Sequence, residues 1–458
     1  MFKTVELPLW ALVLIVLFAA VTFASHFLLP SVRWFFRRRM EKVVSRLNLR
    51  LQRPIEPFKL ARRHDMIQRL IYDPKIAAAI AKHAREEKIP ENVAFEKARR
   101  YAREIVPSFS ATVYFGVAFR IARWFSRTLY RVRLGHYDEN AIKKIAPDAT
   151  VIFVMNHRSN MDYLLVSYLV ADQSALSYAV GEWAQVWPLR SVIRALGAYF
   201  IRRRSRNTLY RRVLARYVQL ATENGVTQAV FPEGGLSLDG TVRPAKLGLL
   251  NYILSDFTPG QNRDVVFVPV AINYDRVLED RVLVAAALSG NRKFKSSIFS
   301  MLAFVGRQIR FKLTGRYHRF GYAAVSFGNP LSLKQFVSSR SRSVEKVGEE
   351  LVARIKAVIP VLPVPLVATV LQQAMAPLKR DEIAEQVELL IANLSDHGAY
   401  VHLPRNSSQY AADVGLRMLV LRNMVAESEG GYAIVPAEKA AVAYYAASIS
   451  HLVDASAA

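Results

Sequence analysis

The 458-residue chain contains no cysteine. Disulfides, thiol catalysis and cysteine-built metal sites are excluded together. The nine histidines are scattered, without an HExxH pairing or other metal-ligand spacing, so no metal is expected. There is no GxxxxGK[ST] phosphate loop and no GxGxxG turn, which argues against the common nucleotide-binding folds. Acidic residues are scarce, 37 against 63 Lys and Arg, giving a net charge of +26 and a pI near 10.2. Such a surplus calls for an anionic partner: nucleic acid, anionic lipid or a phosphorylated substrate.

Charge is also missing from one local run, and that run decides among the partners. No charged residue occurs from Leu7 to Val32, a span longer than the roughly 20 residues that cross a bilayer. Arg33, Arg37, Arg38, Arg39 and Lys42 follow at once. Residues 1–32 are expected to form a single transmembrane anchor, with an in-plane helix as the alternative. By the positive-inside rule the rest of the chain then lies in the cytoplasm, on the plasma (inner) membrane. Basic residues beside an anchor point to an anionic phospholipid membrane, and no nucleic-acid-binding module is present.

Residues 33–147 read as a helical region, with amphipathic stretches at Asp73–Glu86 and Glu91–Val106. The stretch Ala111–Leu134 interleaves arginines with aromatics, as in a helix packed on the next domain or lying in the membrane interface. From 148 to 335 short apolar strands alternate with helices, the pattern of an α/β domain with a sheet covered on both faces. Strands are expected at Val151–Met155, Ser177–Val180, Ala198–Ile201, Gln228–Phe231, Val265–Ile272 and Ala323–Phe327. Residues 336–458 read as a helical C-terminal domain, with helices at Arg380–Leu394, Ala411–Val425 and Pro436–Ser450. The run "VIPVLPVPLVA", Val358–Ala368, reads as a proline-rich joint.

Chemistry concentrates where the strands end. "VIFVMNHRSNMDY" runs from Val151 to Tyr163 and sets His157 and Asp162 just past a buried strand. Five residues apart on one helix, they would lie on different faces, because each residue turns the helix by about 100°. They can cooperate only if His157 sits on the turn and Asp162 faces back from the first helical turn. That pairing suits a base and its orienting carboxylate, while a capping Asp beside a surface His is the plainer alternative. "GAYFIRRR", Gly197–Arg204, ends a strand in three arginines, either an anion clamp or a solvated charge run. "VFPEGGLSLDG", Val230–Gly240, leaves a strand through Glu233 and two glycines, so backbone amides can approach a ligand, and Arg243 and Lys246 follow. Pro269 interrupts "VFVPVAINYD" and suits an edge or bulge near a pocket.

Taken in order, these four segments resemble the glycerolipid acyltransferase superfamily, in its glycerol-3-phosphate / dihydroxyacetone-phosphate acyltransferase branch. "NHRSNMD" is similar to the first motif. Gly181, Glu182, Pro188, Leu189, Gly197, Phe200, Ile201, Arg202 and Arg203 are in register with the second. Phe231, Glu233, Gly234 and Ser237 match the third, and Pro269, Ile272 and Tyr274 the fourth. The resemblance implies a layered α/β acyltransferase domain with a mixed sheet flanked by helices. It implies acyl transfer to the sn-1 hydroxyl of glycerol 3-phosphate from acyl-CoA or an acyl carrier protein thioester, giving lysophosphatidate without cofactor or metal. His157 and Asp162 would be catalytic. Arg158, Arg202, Arg203, Glu233, Gly234, Ser237, Lys246 and Pro269 would line the substrate site. Leu236 departs from the family, which usually carries an arginine there, so Arg158, Arg202, Arg203 and Lys246 would carry more of the phosphate. Rival readings are a dihydroxyacetone-phosphate or lysophospholipid acceptor, a serine hydrolase built on Ser237 and a non-enzymatic basic membrane tether.

Overall fold

The computed structural model describes residues 8–23, 42–171, 173–187, 189–202, 205–290, 319–339 and 343–457, together with Arg310 and Thr314. Two units are described. One comprises residues 1–55 with 172–174, and the other residues 56–171 with 175–458.

Within the first unit, Leu9–Phe23 forms an uncharged helix of 15 residues, about 22 Å long at 1.5 Å per residue. Among the described residues no helix is long and apolar enough to cross a membrane. Residues 1–7 and 24–41 of the expected anchor and its basic flank lie outside the described residues.

The second unit is built on a mixed sheet. Its strands are β1 (Arg131–Tyr137), β2 (Thr150–Met155), β3 (Ser177–Gly181), β4 (Tyr199–Ile201), β5 (Gln228–Val230), β6 (Val265–Tyr274), β7 (Tyr322–Phe327) and β8 (Leu331–Ser332). The order across the sheet is β1-β7-β6-β2-β5-β3-β4, with β8 on the free stretch of β6. Strands β6, β2, β5, β3 and β4 run parallel, whereas β7 and β8 are antiparallel to β6. Every residue of β2, β3, β5, β6 and β7 is buried, which is why their sequences lack polar alternation.

Three expectations change. The sheet takes in β1 from before residue 148. The helix read through Ala111–Leu134 stops at Leu129, and Arg131–Tyr137 pairs in parallel with β7. Its alternating Arg131, Val132, Arg133, Leu134 has strand period, which the run of arginines before it disguises. Pro269 lies in neither an edge strand nor a bulge: β6 is central, and Val154 pairs with Pro269. On the other side of β6, β8 pairs with Val266 and Phe267 and β7 begins at Val270, so the missing amide hydrogen falls between two partners. The proline-rich joint is a helix, Pro363–Gln373, buried from Pro363 through Leu371. Pro363 and Pro365 fall in its first turn, where a backbone N–H has no intrahelical acceptor to lose.

Further C-terminal helices, among them Arg380–Asp396, Ser408–Val420, Lys439–Ala446 and Ser450–Ala457, pack around that buried helix or beside it. A short hairpin, Val425–Ser428 with Gly431–Ile434, joins them. Buried polar contacts tie this region to the sheet. Asp275, just past β6, accepts from the amides of Tyr322 (2.7 Å) and Val364 (2.9 Å). Asp280 takes Arg422 and the Tyr445 hydroxyl.

Candidate active site

The parallel strands deliver their carboxyl ends to one edge, where open α/β sheets hold their ligands. β2 is central and ends in Asn156. That side chain donates to the Ile272 carbonyl (2.9 Å) and accepts from the Ile272 amide (2.7 Å), so it spans the opening between β2 and β6. The chain then turns through His157–Asn160 into the helix Met161–Val170.

Asp162 is the second residue of that helix and is fully buried. Its Oδ2 accepts from the amides of Arg158 (2.8 Å) and Ser159 (3.0 Å) and lies 2.9 Å from His157 Nδ1. Its Oδ1 accepts from the Tyr274 hydroxyl at 2.6 Å. Burial, with the Asp162 charge beside it, holds the Tyr274 phenol well above its usual range, so this O–H stays a donor. Four donors around one carboxylate compensate its removal from water. An ionised Asp162 can only accept, so Nδ1 carries the proton and Nε2 is left as the basic nitrogen.

His157 is held at three further points. Its amide donates to Glu233 Oε1 (3.0 Å), its carbonyl accepts from the Ser237 amide (2.8 Å), and its ring stacks on Phe231 at 3.9 Å. The first and third motifs are thus bonded through backbone on both sides of the histidine. Glu233 is pushed up to about 7 by burial, against the pull of the two amides and the charges of Arg158 and Arg243. Gly234 has φ +66, the left-handed region that favours glycine, and a Cβ there would have to push aside the Lys246 stem, 2.7 Å away.

Arg158 is 2% exposed. Its Nη1 donates to the Gly240 carbonyl, its guanidinium lies 4.7 Å above the Tyr444 ring, and its Nε and Nη2 have no partner among the described residues. Two buried donors without acceptors beside a candidate base are a natural anchor for an anion.

The other expected site residues are placed differently. Ser237 is buried and engaged by its own turn: its hydroxyl donates to Thr241 O (2.8 Å), accepts from the Gly240 amide (3.1 Å) and lies 3.1 Å from Asp239. Among the described residues no histidine bonds to it, so the nucleophile of a serine hydrolase finds no base among them. Lys246 is exposed above Gly234. Pro269 is buried within the sheet beside Val154. Arg202 leaves β4, three strands from β2, or about 14 Å at 4.8 Å per strand. Its fork is taken by Glu104, with Nε to Oε1 at 2.8 Å and Nη2 to Oε2 at 2.5 Å. Arg203 lies outside the described residues.

Sequence reasoning assigned no role to Asn156, Tyr274 or Glu279. Glu279 receives the Ser159 hydroxyl (2.7 Å) and the Asn160 amide and side chain, bracing the turn from 119 residues away. Local spacing carries no signal for partners so distant. Only the tyrosine two residues after Ile272 in the fourth motif offered a clue.

Comparison with known proteins gives two adjoining family matches. Residues 136–273 match the model described as Acyltransferase, and residues 285–457 the one described as Glycerol-3-phosphate acyltransferase C-terminal region. A glycerol-3-phosphate acyltransferase of Pseudomonas fluorescens is 30% identical over 73% of this chain and 41% of the relative. One of Pseudomonas aeruginosa is 34% identical over 61% of this chain and 32% of the relative. The chain therefore spans between about a third and two fifths of the curated relatives it matches. A solved 1-acyl-sn-glycerophosphate (LPA) acyltransferase from Thermotoga maritima aligns at 22% identity over 54% of this chain and 78% of that one. Its TM-score of 0.32 carries no argument. Across these two matched regions and these relatives the chain is similar to the glycerol-3-phosphate acyltransferase branch of the acyltransferase superfamily.

Proposed function

We propose that this protein transfers a fatty acyl group from a thioester, acyl-CoA or acyl carrier protein, to the sn-1 hydroxyl of glycerol 3-phosphate. The observation that carries the reading is the buried His157–Asp162 pair, 2.9 Å apart, with both oxygens of Asp162 held by further donors. The names of the matched relatives support the acceptor.

In this reaction Nε2 of His157 takes the hydroxyl proton as the acceptor oxygen attacks the thioester carbonyl. Asp162 stabilises the imidazolium that forms. The tetrahedral intermediate collapses with cleavage of the C–S bond, and the thiolate recovers the proton from His157. No acyl-enzyme is needed, so Ser237 has no nucleophilic part. The unpartnered Nε and Nη2 of Arg158 supply the first contacts to the acceptor phosphate, with Arg202, Arg203 and Lys246 contributing charge around it. Glu233 and Gly234 hold the shape of the opening. The protein acts at the cytoplasmic face of the plasma (inner) membrane, anchored through its uncharged N-terminal run and drawn to anionic lipid by its +26 charge.

The deciding assay offers labelled acyl donor with glycerol 3-phosphate, dihydroxyacetone phosphate or lysophosphatidate to the purified protein. Glycerol 3-phosphate should give the highest kcat/KM. A higher value for lysophosphatidate would overturn the acceptor, and no transfer to any of the three would overturn the reaction.

A further inference from the structure

A cavity of about 640 Å³ lies beside the third-motif loop and takes no part in the chemistry described above. Its walls are Leu238, Asp239 and Thr241 of that loop, the helices Asp280–Ser289 and Pro363–Gln373, and the last two helices of the chain. The volume is that of an ordinary small-ligand pocket. Its surface is mostly apolar, and Ala440 and Ala443 on one helix, with Ala447 capping its end, open onto it at the i, i+3, i+7 spacing. Among the described residues no lysine or arginine lines it, and the charged residues of the lining are Asp239 and Asp454. Asp239 is offset by Arg243, whose Nη2 lies 4.0 Å away, and Asp454 adds a second carboxylate, so the lining itself offers no positive charge to the phosphates of glycerol 3-phosphate, of coenzyme A or of a phospholipid head. An uncharged apolar chain is the ligand chemistry that remains.

The wall of the cavity is tied to the turn that carries the candidate base at two points. Leu238 follows Ser237, whose amide is bonded to the His157 carbonyl at 2.8 Å. Tyr444, a wall of the cavity, carries the Arg158 guanidinium on its ring at 4.7 Å. The loop is pressed against this wall: Gly240 has φ +92, and a Cβ there would lie 2.0 Å from the Tyr444 carbonyl. The outer end opens past the exposed Ala287, Leu288, Gln372 and Gln373.

We propose that this cavity holds the acyl chain of the thioester donor, so that the C-terminal helices set which chain lengths are accepted. The inference rests on the acyl-transfer reading above. It gives the C-terminal region a direct part in substrate choice. Alanines on the facing helix leave the width for a chain, and each methylene that enters strengthens binding by about fourfold. Filling that width should penalise long chains and spare short ones.

The test compares wild type with Ala443→Leu and Ala447→Leu, using octanoyl and palmitoyl thioesters at saturating acceptor. The expected result is a donor KM raised by about tenfold or more for palmitoyl and by less than about twofold for octanoyl. Equal losses for both donors, or no change for either, would overturn the proposal. Ala287→Leu at the exposed rim should give a weaker shift of the same sign and keeps the test valid if an inner variant fails to fold. Direct binding of cis-parinaric acid, read by its fluorescence, separates this inference from the function it rests on. Probe binding to wild type that the leucine variants weaken about tenfold supports the cavity even if no acyl transfer is found. Transfer with an unaltered chain-length profile overturns the cavity and leaves the function standing.

Discussion

Two ends of the same sheet edge bear the residues of interest, and they are built on opposite terms. After β2, at the centre, His157 and Asp162 are 3% and 0% exposed and every polar atom of the aspartate is matched. After β4, at the margin, the Arg202 side chain is 39% exposed and shares its charge with Glu104. A buried charge without partners is very costly, so the centre exists only with its full set of donors. Only the arginine of this pair faces solvent: Glu104 is 8% exposed and keeps a second donor in Gln185 at 3.1 Å, so Arg202 can turn towards a ligand at less cost than any group at the centre, though at more than the ~0–1 kcal/mol of a surface ion pair. The centre is suited to holding one geometry for proton transfer. The margin is suited to holding charge near a moving substrate.

This contrast predicts effects of different kind and size. The largest belongs to the centre: Asp162→Asn should lower kcat by about 10²–10⁴, because an amide cannot stabilise imidazolium, and His157→Ala should do the same. Either variant retaining more than about a tenth of the activity would remove the base from the mechanism. Tyr274→Phe deletes one hydrogen bond to the same carboxylate, worth about 1.5–3 kcal/mol, so kcat should fall by about 10–100-fold with little change in the acceptor KM. A change confined to KM would place Tyr274 with the binding groups instead.

At the margin, Arg202→Ala should raise the acceptor KM by about tenfold and leave kcat nearly unaltered. Glu104→Gln frees the same fork and should leave the acceptor KM equal or lower. If both variants instead lose stability without any change in KM, the pair is a structural clasp and the contrast fails.

The smallest effect is a slope in stability with pH. Burial holds Glu233 at about 7 when folded, against 4.5 for the free side chain. A raised carboxyl favours the folded state fully below about 4.5, and that contribution is lost as pH rises through about 7. Asp275, also pushed up to about 7 by burial, acts in the same direction from its ordinary value of 3.8. Thermal melts from pH 5 to 8 should show this decline, and Glu233→Gln should flatten part of it. An unchanged slope in that variant would mean Glu233 is ionised throughout.

Much of the strand framework was legible because buried parallel strands are short, apolar and bounded by turns. β2, β3 and β5 fall within about one residue of the expected ranges, and the helix at Thr208–Glu223 begins at its cap, where Asn207 accepts from the Tyr210 amide at 2.8 Å. β1 was hidden because its exposed face carries arginines like the helix before it. The buried helix at Pro363 was hidden because two prolines suggest a joint, and only their position in the first turn makes them harmless.

What the sequence determined by itself was therefore the local layer: which segments pair as strands, where turns fall, and that a histidine and an aspartate stand together after β2. Backbone period and turn chemistry act over a few residues and can be read from neighbours. Tertiary structure alone decided the rest. It brought Tyr274 to Asp162 across 112 residues, gave Arg202 to Glu104 across 98 and laid Tyr444 beneath Arg158. Such pairings follow from how buried charges must be satisfied once the chain has closed on itself, and no pattern within a single segment encodes them.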